Sequence, residues 1–144
     1  MATVPTAESF RPIRGNHVQQ TQMPRVTASM STFRVPIFVA PFRCELVSVF
    51  IIASATVTGA NTNTVHLNLI NGGAEGAGTT ELAALDLVSG TDIDVGKTSL
   101  FATETFLDQG TMLELEAEEQ GTGLGADMAE MLLYITYRPS NLAS

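Results

Sequence analysis

The sequence has no tryptophan, two tyrosines and one cysteine, and only seven of its 144 residues are lysine or arginine. Each shortage excludes something. A single cysteine, Cys44, forbids an internal disulfide, and one Cys with two distant histidines, His17 and His66, does not make a transition-metal cluster. The same scarcity leaves the many Ser and Thr hydroxyls without a base to activate them, and there is no G-x-S-x-G elbow. Tyr134 and Tyr137 are three residues apart, so a strand holding both sends them to opposite faces, and no aromatic platform for a sugar results. The longest apolar stretch, Leu46 to Ala55, is broken by Ser48 and Ser54 and falls far short of the roughly 18 residues that span a bilayer. The opening MATVPTAESF carries neither the basic start nor the apolar run of a secretory signal, which predicts synthesis in a cytoplasm.

What charge there is falls unevenly. Residues 1–43 hold five of the seven basic residues (Arg11, Arg14, Arg25, Arg34, Arg43) against Glu8 alone, a net +4. Residues 44–144 hold Lys97 and Arg138 against fourteen acids, a net −12. This pattern suggests a basic leader on an acidic body, and an acidic body repels nucleic acid.

The leader differs in composition too. All but one of the six prolines lie in residues 1–43, and Gln19, Gln20, Thr21 and Gln22 form a polar stretch. Each proline fixes its own φ and pushes its predecessor toward an extended conformation. Residues 1–25 therefore read as an extended arm, and residues 26–144 as one folded domain. Apolar residues interleave with basic ones along the arm, so Phe10, Arg11, Ile13, Arg14, Val18 and Arg25 are its candidate partner-binding residues.

Strand signals repeat beyond the arm. Phe33 to Val39 contains Pro36 and so belongs at an edge. Glu45 to Ile52 is rich in Val, Ile and Phe and reads as buried. Thr64 to Ile70 alternates, with Val65, Leu67 and Leu69 on one face and His66 and Asn68 on the other. Thr79 to Val88, Lys97 to Thr103 and Glu130 to Tyr137 complete the set, with a helical turn compatible with Ala126 to Leu133. Thr111 to Glu118 consists of good helix formers, yet a helix would set Leu113 and Leu115 about 200° apart. A strand puts Leu113, Leu115 and Ala117 on one face and Glu114, Glu116 and Glu118 on the other, so periodicity outweighs propensity. Turn chemistry separates these segments at 59–63, 71–73, 76–78, 108–110 and 121–125. Short strands with turns between them predict an all-β fold, an antiparallel jelly-roll-like β-sandwich.

Three motifs invite a chemical reading. Gly121-Thr122-Gly123-Leu124-Gly125-Ala126 approximates a dinucleotide fingerprint, but four glutamates at 114, 116, 118 and 119 precede it and would repel a pyrophosphate, so a turn is expected. Asp92-Ile93-Asp94-Val95-Gly96 lacks the further ligands of a calcium loop. The glutamate row reads as a solvated face that also discourages stray edge pairing. No cofactor and no metal are expected, and no catalytic residue is assigned.

From about Leu46 to Pro139 the order of pieces resembles a known family. A strand leads into Val57-Thr58-Gly59-Ala60-Asn61-Thr62-Asn63. Leu67-Asn68-Leu69-Ile70-Asn71 runs into Gly72-Gly73-Ala74-Glu75-Gly76-Ala77-Gly78-Thr79-Thr80, followed by Asp108-Gln109-Gly110-Thr111-Met112-Leu113-Glu114-Leu115. Gly121-Thr122-Gly123-Leu124 and Tyr134-Ile135-Thr136-Tyr137-Arg138 close the series. This is similar to tailed-bacteriophage capsid decoration, or cement, proteins with a jelly-roll fold. The long basic leader and the approach Gly125 to Glu130 depart from the simplest members. The resemblance implies a non-enzymatic virion protein on the capsid exterior, a homotrimer that bridges capsomers. Its partners would be the major capsid protein and its own copies, with no nucleic acid and no membrane. Two other readings make different demands. A receptor- or glycan-binding jelly roll of a fibre or spike requires a saccharide site, and a cupin-like enzyme requires a cluster of histidines that this chain lacks.

Overall fold

The computed structural model describes residues 15–99, 105–125, 127–128 and 131–140, with backbone alone at 97–99. Nine strands form in these residues: β1 His17–Met23, β2 Phe33–Val39, β3 Cys44–Ala53, β4 Thr64–Gly73, β5 Thr80–Asp86, β6 Gly96–Ser99, β7 Thr105–Leu107, β8 Met112–Gln120 and β9 Met131–Pro139. One sheet has the order β1-β9-β3-β6, with β7 also paired to β3, and the other has the order β2-β8-β4-β5. Every pairing is antiparallel. β6 and β7 lie one after the other along the same edge of β3, at Phe50–Ala53 and Cys44–Leu46, so this sheet is four strands wide.

The pairings are those of one long hairpin rolled up. β1 pairs with β9, β2 with β8, β3 with β6 and β7, and β4 with β5 at the tip. Rolling brings β9 against β3 and β8 against β4, and these contacts join the hairpin arms into two sheets. This is the antiparallel jelly roll that strand periodicity and turn spacing predict. The expected strand at Lys97 to Thr103 coincides with β6 at 97–99, residues 100–104 lie outside the described residues, and β7 has no counterpart in the sequence reading. Thr80–Asp86 is a strand despite its Leu/Ala content, because pairing with β4 outweighs local propensity.

Alternation places the core. Leu113, Leu115 and Ala117 of β8 share the inner face of their sheet with Val65, Leu67 and Leu69 of β4, and all are buried, as are Leu46, Val49 and Ile51 of β3 and Leu133 and Ile135 of β9. Met23 at the end of β1 is also fully buried. The sequence assigns residues 17–23 to the arm. They are extended, and they pair along their whole length with β9, from His17 opposite Tyr137 to Met23 opposite Met131. No helix among the described residues is long and apolar enough to cross a membrane.

Candidate functional site

Of the candidate arm residues, Phe10, Arg11, Ile13 and Arg14 lie outside the described residues. Val18 sits near the start of β1, 45% exposed, and Arg25 is exposed just past its far end. Seven residues of strand-like chain put about 23 Å between them. The structure therefore does not gather Val18 and Arg25 into one site.

The two outer faces of the sandwich are chemically opposite. On the β2-β8-β4-β5 sheet the outward residues of β8 are Glu114, Glu116 and Glu118. The sequence reads this row as solvated, yet Glu114 is buried and the other two are half-buried. Arg34 on β2 reaches Glu114 at 3.3 Å and Glu116 at 3.0 Å. Asn68 on β4 donates to Glu116 at 3.1 Å and to Glu118 at 2.9 Å. His66 opposes Glu118 in register and lies 3.1 Å from Asp86 on β5. Arg34 also donates to the Gly78 carbonyl at 2.9 Å and so fastens the β4–β5 loop over the row. The hydrogen bond to Glu116 is the largest influence holding the Arg34 guanidinium charged above its ordinary range. No local pattern announces this network, because Arg34 lies some eighty residues from its partners.

On the β1-β9-β3 sheet the outward residues form rows across the strands: Val18, Thr136 and Ser48; Gln20, Tyr134 and Phe50; Gln22, Leu132 and Ile52. None of these is charged. Phe50, Ile52, Leu132 and Tyr134 are half-buried. A register shift between Leu46 and Ser48 leaves Val47 as a bulge in β3. Toward the start of β1 the sheet ends in Arg138, Glu45 and Phe106, with Arg138 and Glu45 paired at 2.6 Å and Phe106 45% exposed. Lys97 stands opposite Ile52 at the β6 edge.

Next to this end, His17 stacks on Tyr137 at 5.4 Å between ring centroids and meets Phe42 edge-on at 5.8 Å, while Tyr137 also packs on Phe38 at 4.9 Å. These rings pin the entry of β1 to the β2–β3 loop. Burial, and then the neighbouring Cys44, push the Tyr137 hydroxyl above its usual pKa. Cys44 is fully buried, and that burial pushes its thiol up to about 11, so at neutral pH it is a protonated core residue rather than a nucleophile.

The remaining motifs are absorbed by the fold. At 122–125 the backbone N–H groups that would cradle a phosphate are already engaged. Thr122 donates to Asn63 Oδ1, Gly123 to Glu119 Oε2, Leu124 to the Met30 carbonyl and Gly125 to the Ala28 carbonyl. The segment is a turn, as expected. Asp92 Oδ1 accepts the Gly59 N–H at 2.8 Å, and Ile93 between the two aspartates is buried and bridges Val57. Among the described residues no group of three or more His, Cys, Asp or Glu side chains is arranged to hold a metal ion.

No family model matches the chain, and no curated protein matches it. Solved structures do. A chain of the cyanophage Pam1 capsid asymmetric unit superposes with a TM-score of 0.53 at 10% identity, over 88% of this chain and 84% of that one. Chains of infectious bursal disease virus, strains Gx and Gt, each give a TM-score of 0.40 at 11% and 13% identity. This chain spans a third of their length, 33% in both cases. At such identity the likeness to the cyanophage chain is one of fold: an all-β jelly roll also found in a viral capsid.

Proposed function

We propose that this protein is a structural component of a phage virion. It binds the outer surface of the capsid as an oligomer, a trimer in the simplest arrangement, and stabilises the shell by bridging capsomers. The observation that carries this reading is the combination of two features. One is a jelly roll sharing its architecture with a capsid-unit chain over most of both lengths. The other is a basic, proline-containing leader feeding its first strand.

Each part has a physical role. The sandwich supplies a rigid body. The leader carries Phe10 and Ile13 for shallow apolar sites, and Arg11 and Arg14 for acidic ones. It enters the body at β1, the edge of a sheet, where an extended chain can continue onto a neighbouring surface. Several weak contacts on many copies give avidity well above that of a single contact. The engaged turn amides at 122–125 and the protonated Cys44 suit a body that binds and carries out no reaction.

The test is direct. Purified protein is mixed with capsids stripped of accessory proteins and imaged by electron cryomicroscopy. The expected result is ordered extra density on the outer shell at symmetric positions between capsomers. Bare shells at saturating protein would overturn the reading, and saturable binding to a cell-surface glycan in its place would favour a fibre or spike module.

A further inference from the structure

We infer that His17 anchors the leader: its ring, held between Tyr137 and Phe42, is the fixed point from which the preceding residues reach a partner. The inference names a positioning residue for the contact that the virion reading assigns to the leader, and it rests on that reading for its purpose.

The first argument is placement. β1 is an edge strand, and the end of such a strand ordinarily frays. Most of β1 is lightly held. Val18, Gln19, Gln20 and Gln22 are exposed, and Met23 at the far end is its one fully buried side chain. Between Met23 and the leader, Thr21 ties β1 to β2 through its hydroxyl, which donates to the Ile37 carbonyl at 3.0 Å. His17 then closes the strand. Its ring lies on Tyr137 of β9 with 25° between the planes and meets Phe42 of the β2–β3 loop at 69°, so it is held on a face and at an edge. Tyr137 in turn packs on Phe38 of the other sheet. The strand end that receives the leader is thus fastened to both sheets.

The second argument is the joint beside it. Gly15 and Asn16 are exposed, and Gly15 holds φ +85° where a Cβ would meet nothing within 4 Å. The backbone turns there without leaning on the body, and among the described residues ring contacts with the sandwich start at His17. A pivot and a fixed point therefore lie two residues apart. The consequence is entropic. Each residue left loose at the root must be ordered again when the leader binds, and that cost is subtracted from affinity. Without the His17 ring, residues 17–20 join the loose chain as far as the Thr21 tie.

The test follows three readouts in the full chain: stability in urea, amide hydrogen exchange in β1, and binding to stripped capsids. His17→Ala should keep a cooperative fold, speed exchange at residues 18–20 by about tenfold or more, and weaken capsid binding by about tenfold or more. His17→Phe, which keeps a ring between Tyr137 and Phe42, should restore both. Gly90→Ala strains the remote β5–β6 turn, where φ is +89°, and should lower stability while leaving capsid binding unchanged. That control separates a fixed root from a merely sturdier body. If His17→Ala fails to fold, Phe42→Leu removes the edge contact from the loop side and should give the same two losses. Faster exchange with undiminished binding overturns the inference, as does unchanged exchange, a loss that His17→Phe does not restore, or an equal loss of binding in Gly90→Ala. Wild-type protein that ignores capsids sinks the virion reading, and the exchange readout then still decides whether His17 fixes the root.

Discussion

Arg34 Nη2 lies 3.0 Å from Glu116 Oε2 across the β2–β8 ladder, and the same guanidinium reaches Glu114 Oε2 with Nη1 at 3.3 Å. One side chain thus serves two outward carboxylates and, through Gly78, the loop that shelters them. Removing it leaves two negative charges with restricted access to water. Arg34→Met is expected to destabilise the fold by about 2 kcal/mol, below the full cost of breaking a deeply buried pair because Arg34 retains 28% exposure. Arg34→Lys should recover only part of this, since an ammonium cannot reproduce the fork. Urea denaturation of the three proteins checks both, and equal stability of wild type and Arg34→Met would show the network to be ornamental.

Two truncations separate the leader from the sheet. Deleting residues 1–14 should leave a cooperative fold that no longer binds capsids. Deleting residues 1–25 removes β1 as well, uncovers the β9 edge and takes away the buried Met23, so loss of the soluble fold is expected. Within the leader, Arg11→Gln with Arg14→Gln should weaken capsid binding mainly at low salt. Undiminished binding by the shorter deletion would move the contact elsewhere on the molecule.

Gly125 and Gly110 both hold positive φ, +67° and +86°, but they differ in surroundings. A Cβ at Gly125 would fall 1.4 Å from the Asn63 carbonyl oxygen, while one at Gly110 meets nothing within 4 Å. Gly110→Ala should cost about 1 kcal/mol, the strain of a left-handed backbone alone. Gly125→Ala adds a backbone collision and should cost well over about 2 kcal/mol or prevent folding. Paired thermal melts distinguish strain from collision, and equal losses would mean the 121–125 turn shifts freely.

Cys44 sets an alkaline limit. Its thiol titrates at about 11 in the folded chain and near 8.5 when unfolded. The unfolded chain therefore releases its proton first as pH rises. The stability linked to Cys44 is fully present below about pH 8.5 and is lost as pH climbs toward 11. Tyr137, raised in the same direction, adds to the loss. Native protein should resist thiol alkylation at pH 8 and react as it opens above pH 10. Cys44→Ala should flatten the alkaline limb, and prompt alkylation at pH 8 would contradict the burial.

Local pattern reveals much of this fold and little of its long-range pairing. The inward set on β8 and on β4 follows from alternation, and Val49, within the Glu45 to Ile52 stretch that composition marks as buried, is fully buried opposite Ile135, so Val49→Asp should abolish folding. β1 is harder to read. Its HVQQTQM has one fully buried side chain, Met23, and its strand character comes from β9, more than a hundred residues away. The glutamate row misleads for the same reason, since its cation arrives from β2 and its amide from β4. The site differs again. The candidate leader residues are legible as composition, but Val18 and Arg25 end up at opposite ends of one strand. The uncharged face is visible only once β3 and β9 are known to be neighbours.

The register that sets His17 opposite Tyr137 has a mechanical meaning. A tether pulling along β1 loads all the β1–β9 backbone bonds together, in shear. A tether pulling outward from the same corner loads the His17 end first and peels the strand away bond by bond.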